Sequence, residues 1–483
     1  MKMITFAASR IGFNRMKQGQ DEDEEYIREL LERFEAGLHE GGFSFFDSSE
    51  LEDIIYHYFS EADFIKANQA IRYALDRFPA DITFEVFQAQ YLMNTGDAQK
   101  ALTMLDQLRK RDPRNPDILL TRASVLGNMN KHEEAIKEYI KALAHVQDDK
   151  EEIYTGIAFE YENIGNYDKA AEYLKQALDA DPDNEGLLYE IGYCYDLGAM
   201  SENAIEFFEQ IVDKRPYSHV GWYNLGLAYA SLDLFEKAID AFDFAIAIDP
   251  RFTPAYFNKA QSYEQMEMYV DAIAIYKQTF EFEKPDAMTW YYLGDCYERL
   301  EKYDTAIENY RKSVHLEKQF SDAWMGMGIC FGELGQRAES ITHMKQAVKL
   351  EPENPEYWFI LADALLGAGH EEEAGAAYLK VTELDPYHPE VWLDYSEYFI
   401  TAKKDYEKAL EVIEDGTYFQ PQNSALAFRR VAYLIDSGKE KEAIRELYIA
   451  LSAEYDGFKG LLEYSEKARL SSAVMDAITN FKE

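Results

Sequence analysis

The chain has 483 residues, with 90 acidic against 49 basic side chains and a net charge of −41. A surface this acidic repels phosphate backbones and anionic headgroups, which argues against nucleic acid or a membrane as a direct partner and favours a basic one, bound in a salt-sensitive way. No stretch approaches the ~20 apolar residues of a membrane span.

Residues 1–20 carry Lys2, Arg10, Arg15 and Lys17 and no acid, the composition of a basic flexible tail. The acids Asp21 to Glu25 then open a helical pattern of Tyr26, Ile27, Leu30, Leu31 and Phe34, where negative charge suits the start of a helix. Gly41-Gly42 ends that pattern, so residues 21–47 are predicted to form an N-terminal capping helix.

From residue 48 the chain keeps a 34-residue period. Trp222, Trp290, Trp324, Trp358 and Trp392 all stand in one phase of it, which we number position 4. In the copy at 219–252, Trp222, Leu225, Gly226 and Tyr229 are spaced i, i+3, i+4, i+7, the apolar stripe of one helix. Ala238, Phe242 and Ala245 form the stripe of a second. Leu232 and Asp233 fall between the stripes as a turn, and Pro250 follows the second helix because proline cannot continue it. Each copy is therefore a helical hairpin, and the tryptophans are predicted to be core. Position 8 is glycine or alanine in nine copies, as in Gly192, Gly294 and Gly328, and position 20 is alanine in most copies; large side chains where helices cross would force their axes apart.

This W…LG…Y…A…F…A…P pattern resembles the tetratricopeptide repeat (TPR) family. Copies begin at 48, 82, 116, 151, 185, 219, 253, 287, 321, 355, 389 and 424, making twelve over 48–457, and residues 458–483 form a truncated copy with Ala477 and Phe481 at positions 20 and 24. Two copies have one extra residue; in the copy at 389 it is expected in the Lys403-Lys404-Asp405 turn. Glu85, Arg122 and Arg430 occupy slots that should be apolar, which leaves helix borders there less defined. The resemblance implies an all-α, right-handed superhelical solenoid of antiparallel hairpins. Stand-alone repeat arrays of this kind also imply a cytoplasmic, non-enzymatic scaffold or adaptor.

Read in register, several site-like motifs become structural. Gly326-x-Gly328-x-x-x-Gly332 lies inside a first helix with no preceding strand, unlike a phosphate loop. Asp179-x-Asp181-x-Asp183-Asn184, with Glu190, nearly matches a calcium loop but falls in an inter-repeat turn, with Pro182 at position 32. Cys194, Cys296 and Cys330 all stand at position 10, a slot for small residues, and are predicted to be buried and reduced. No nucleophile elbow or metal-ligand spacing is present, so no catalytic residue, metal or cofactor is expected.

In the TPR family the first helices line a concave groove, and positions 2, 5, 6, 9, 12 and 13 can face it. Here position 5 supplies Tyr189, Tyr223, Phe257, Tyr291 and Phe359. Position 9 supplies Phe159, Tyr193, Gln261, Asp295 and Asp363. Position 12 supplies Glu162, Asp196 and Glu298, and position 6 supplies Asn224 and Asn258. Such a groove would be aromatic along one row and acidic along the next, suited to a basic or aromatic-containing peptide. Its asparagines could hold an extended peptide backbone. The lysine and arginine clamp of chaperone-binding TPR domains is missing. The alternative is a structural subunit held in a larger assembly by its edges or convex face.

Overall fold

The computed structural model describes residues 20–40, 45–147 and 150–482. The basic tail, apart from Gln20, and the Gly41-Gly42 stop lie outside the described residues. Among the described residues every regular element is a helix, and the helices come in antiparallel pairs, the architecture of an all-α solenoid. Packing divides the chain into two compact units, Met1–Ser262 and Tyr263–Glu483.

The predicted period is followed closely. First helices are Ser48–Ser60, Ile82–Asn94, Pro116–Asn128, Lys150–Asn163, Glu185–Leu197, His219–Ala230, Thr253–Gln265, Ala287–Arg299, Ser321–Glu333, Pro355–Gly367, Val391–Tyr398 and Ser424–Asp436. Each is followed by a second helix of similar length, such as Phe235–Ile248 after His219–Ala230. Ahead of them, the helix Gln20–Glu40 buries Leu30 and Phe34 in a cluster with Phe46 and with Ile54 and Tyr58 of the first copy. Arg33 ties it further through Glu50 at 3.0 Å.

The turn within each hairpin has one recurrent geometry. Position 15 is left-handed in all twelve copies: Gly96, Gly165, Gly335, Gly369 and Gly438, but also Ala62, Asn130, Ala199, Asp233, Glu267, Glu301 and, shifted by one, Lys404. The amide of the next residue then bonds back across the turn to position 11, as in Leu234 N to Tyr229 O (3.0 Å) and Gln336 N to Phe331 O (2.8 Å). That is the closure of a Schellman motif, which satisfies carbonyls the ending helix leaves open.

The small slots do what the spacing predicts. A Cβ at Gly226 would lie 2.5 Å from Phe242, and one at Gly328 would lie 2.5 Å from Met344, in both cases the position-24 side chain of the same hairpin. Gly326 and Gly328 thus admit side chains of second helices, and the glycine-rich motif is packing.

Three expectations need correction. Of the five tryptophans only Trp392 is buried; the others are half-buried against the core. Their indole N–H groups instead secure the preceding inter-repeat turn: Trp222 donates to Pro216 O (3.0 Å), Trp358 to Pro352 O (2.8 Å) and Trp392 to Pro386 O (2.9 Å). The extra residue of the copy at 389 is absorbed by a π-turn over Phe399–Lys403, just before the expected loop. Charges in apolar slots do not blur the helices, because each finds a partner: Glu85 with Arg111, Arg122 with Asp106 (2.9 Å) and Glu138 (3.2 Å), and Arg430 with Glu414 (3.8 Å). In the last copy, from 458, the first helix is broken into Phe458–Tyr464 and Glu466–Leu470, and the second is Ser472–Lys482. The break falls at Ser465, whose hydroxyl caps Ala468 N and donates to Asp436 (2.8 Å).

Candidate functional site

In the first unit the first helices of four successive copies, at 82, 116, 151 and 185, line one cavity of about 450 Å³. Position 9 contributes Phe159 and Tyr193, position 5 contributes Tyr189, and position 12 contributes Glu162. Phe159, Tyr189 and Tyr193 are exposed, Tyr193 most of all at 57%. A second cavity, of about 300 Å³, shares Tyr189 and Tyr193 and adds Asp196, Tyr223 and Asn224. Seven of the fifteen predicted groove residues therefore line two adjoining cavities.

Asn224 does not present its amide there. It is 4% exposed; its Nδ2 donates to Val220 O (2.9 Å), and its side-chain oxygen fills the space a Cβ at Gly192 would need. Asn258, half-buried, donates to the Tyr223 hydroxyl (3.2 Å) and to Pro254 O (3.0 Å). The pair thus serves local packing, and the expected peptide-holding ladder is already occupied by protein partners. Tyr223 also meets Phe252 edge-on at 5.0 Å. Phe257 and Gln261 are half-buried on the same unit's last first helix.

The remaining candidates belong to the second unit. Tyr291 is half-buried against Phe320 (5.0 Å). Phe359 is buried, with His388 across its ring at 4.4 Å, so it offers little surface for a ligand. Glu298 accepts from the Tyr310 hydroxyl (2.8 Å), and Asp363 accepts from the Tyr378 hydroxyl. Asp295 is half-buried, and loss of water raises its pKa.

A relation the sequence reading missed explains the cysteines. Each thiol donates to the position-12 glutamate of the preceding copy: Cys194 to Glu162 (3.3 Å), Cys296 to Glu264 (3.2 Å) and Cys330 to Glu298 (3.5 Å). All three thiols are buried, and burial followed by the adjacent carboxylate pushes their pKa up. Desolvation likewise raises the pKa of Glu162, Glu264 and Glu298, against the lowering effect of the donated hydrogen bonds. The acidic row is thus partly structural.

Glu160 was also missed. It stands at position 10, where the six copies that follow, from 185 to 355, have cysteine, serine or alanine, and that contrast was visible in the sequence. Its carboxylate is 1% exposed and pairs with His132 Nδ1 at 2.6 Å. Gly127, at position 12 of the preceding copy, makes room for it: a Cβ there would lie 2.2 Å from Glu160 Oε1. Glu160 lines the larger cavity with Tyr139, Glu190, Asn94 and Asn128. Asn184, in the calcium-like stretch, is an N-cap whose side chain accepts from Gly186 N (3.1 Å). Among the described residues no group of three or more His, Cys, Asp or Glu could hold a metal ion, and no helix is long and apolar enough to cross a membrane.

Three family models, each described as a tetratricopeptide repeat, match the chain: one at 219–252 and 287–320, one at 158–219 and 326–389, and one at 92–158. No curated protein matches the sequence. Similar solved structures include YrrB, described as a TPR protein with an unusual peptide-binding site (19% identity, covering 42% of this chain and 100% of that one, TM-score 0.33). Another is the C-terminal part of a TPR repeat-containing protein from Cytophaga hutchinsonii (16% identity, 50% and 99% covered, TM-score 0.42). A third is a monomeric mutant of IFIT1 with Gppp-AAAA (15% identity, 74% and 91% covered, TM-score 0.44).

Proposed function

The chain belongs to the tetratricopeptide repeat family of protein–protein interaction scaffolds, and from that premise we propose that it is an adaptor whose first-unit cleft takes a basic, aromatic-containing peptide segment. One observation carries this reading. The larger cavity joins three exposed rings, Phe159, Tyr189 and Tyr193, to the carboxylates of Glu162 and Glu190, and no lysine, arginine or histidine lines it. Exposed rings supply amphipathic contact area and attract cations, and a half-buried carboxylate such as Glu162 binds them more strongly than a solvated one. No catalytic role is assigned to any residue. Buried, reduced thiols suit a reducing compartment, and we assign the protein to the cytoplasm.

The test is affinity capture by the full chain at low and high salt, repeated with Tyr193→Ala and Glu190→Gln. A partner that is lost at high salt, and lost from both variants, supports the reading. A partner held more tightly as salt rises, or bound through an acidic segment, refutes it.

A second reading, a structural subunit bound by its edges, is favoured by a different observation. Tyr217 in the first unit is 85% exposed, and Tyr387 and Tyr418 in the second are 69% and 80% exposed. Tyr217 and Tyr387 both follow the position-32 proline, beside inter-repeat turns. Capture that survives the cleft variants but fails with Tyr217→Ser or Tyr387→Ser supports this second reading.

A further inference from the structure

We infer that the larger cavity of the first unit is a pocket for one arginine side chain of the bound peptide; this rests on the cleft reading above and narrows it. The first argument is an internal comparison. Elsewhere in this unit the protein sets its own lysines over tyrosine rings: Lys169 over Tyr161 at 5.2 Å, Lys175 over Tyr195 at 5.1 Å and Lys237 over Tyr229 at 5.2 Å. Among the described residues no cation of the chain stands over Phe159, Tyr189 or Tyr193, the rings that line the cavity. They share this lining with the carboxylates of Glu162 and Glu190, and an incoming cation would complete it.

The second argument is charge. Glu160 already pairs with His132, so its negative charge is partly answered from within the protein. Glu162 is half-buried and receives only the weak thiol donor of Cys194, and desolvation raises its pKa. A cation beside Glu162 would reverse that shift, so binding and ionisation of Glu162 are coupled. An anionic group would meet the carboxylates of Glu162 and Glu190, and His132, which answers Glu160, does not line the cavity.

The third argument is shape, which selects guanidinium over ammonium. A guanidinium is planar, stacks on rings and presents five N–H donors in a fixed fork, whereas lysine offers a compact, strongly hydrated point charge. Glu162 and Glu190, with the side-chain oxygens of Asn94 and Asn128 on the same lining, supply acceptors for such a fork.

The probe is Nα-acetyl-arginine methylamide, compared with its citrulline and lysine counterparts. Citrulline keeps the size and shape of arginine and removes the charge. The readout is the methyl signal of Met93, which lines the cavity, in the intact protein carrying labelled methionine methyl groups, assigned with Met93→Leu. The arginine probe should shift this signal saturably; citrulline should leave it in place, and lysine should need about fivefold more ligand or above. Tyr193→Ala and Glu190→Gln, both at exposed positions, should each weaken the arginine probe by about tenfold, with the other methionine signals unmoved. A Met93 shift with citrulline or lysine equal to that with arginine overturns the inference, as does the lack of any shift with arginine. In those cases a salt-sensitive partner that still depends on Tyr193 leaves the cleft reading standing without an arginine pocket; loss of that dependence removes both.

Discussion

Tyr310 is held between two glycines, and filling either side should destabilise the second unit although alanine favours helix. A Cβ at Gly294 would lie 2.6 Å from the Tyr310 ring, and one at Gly326, in the next hairpin, 2.5 Å from its Cζ. The ring is 1% exposed, and its hydroxyl is tied to Glu298 at 2.8 Å, so it has little room to move aside. Overpacking of a tight core costs about 1–3 kcal/mol, while Gly→Ala inside a helix returns about 1 kcal/mol. Gly326→Ala should therefore lose up to about 2 kcal/mol net. Gly367→Ala is the control: nothing lies within 4 Å of its Cβ, so propensity acts alone and stability should rise by up to about 1 kcal/mol. Repeat arrays need not unfold in a two-state manner, so the assay is local: hydrogen exchange of helices Ala287–Arg299 and Ser321–Glu333, supported by urea titration. In a Tyr310→Ala background the clash is gone, and Gly326→Ala should become neutral or stabilising, a coupling of about 1–3 kcal/mol. Gly326→Ala protecting its helix as Gly367→Ala does, or no coupling to Tyr310, would refute the packing argument.

Other consequences follow from geometry already described. Ala199 and Glu301 hold left-handed turns, φ 51° and 56°, that glycine adopts freely; Ala199→Gly and Glu301→Gly should each stabilise by about 0.5–1 kcal/mol, and Gly335→Ala should cost about as much, read as urea midpoints. Asp394 has its pKa raised to about 6, first by desolvation and then by Asp363 and Glu390, and Asp295, Glu298 and Asp363 are shifted the same way. A carboxyl whose folded pKa exceeds its unfolded value binds more protons when folded, so stability should rise as pH falls from about 7 towards 5. Asp394→Asn should flatten that rise at constant ionic strength; an unchanged slope would count against the assignment. Binding of a basic peptide should follow the opposite sign, weakening as pH falls and the cleft carboxylate Glu162, its pKa raised by desolvation, protonates; calorimetric titration at two pH values checks it. Cys194, Cys296 and Cys330, buried and held as thiols, should resist a thiol reagent in the native protein and all react once it is unfolded.

The sequence reading reached some features of the candidate site and missed others for definite reasons. Phe159, Tyr189 and Tyr193 were legible because position 5 and position 9 recur on one face of each first helix, and helix periodicity is local. Asn224 was misread because its availability depends on Gly192, a full repeat earlier in the chain. Glu160 could have been noticed as a carboxylate in a small-residue slot, yet only its placement against His132 and Gly127 shows how it is tolerated. Arg122 broke the apolar pattern without breaking the helix, because Asp106 and Glu138 come from other helices.

By itself the sequence determined the period, the hairpin, the turn positions and the small slots, because these depend on spacings of three, four and 34 residues along one chain. The tertiary structure decided which polar and aromatic side chains remain available. Stacking brings position 10 of one copy against position 12 of the copy before, so Cys194, Cys296 and Cys330 reach Glu162, Glu264 and Glu298. A side chain's partner in the neighbouring hairpin is set by how helices pack, and that packing alone leaves Phe159, Tyr189 and Tyr193 exposed while Tyr291 and Phe359, in the same predicted rows, are half-buried and buried.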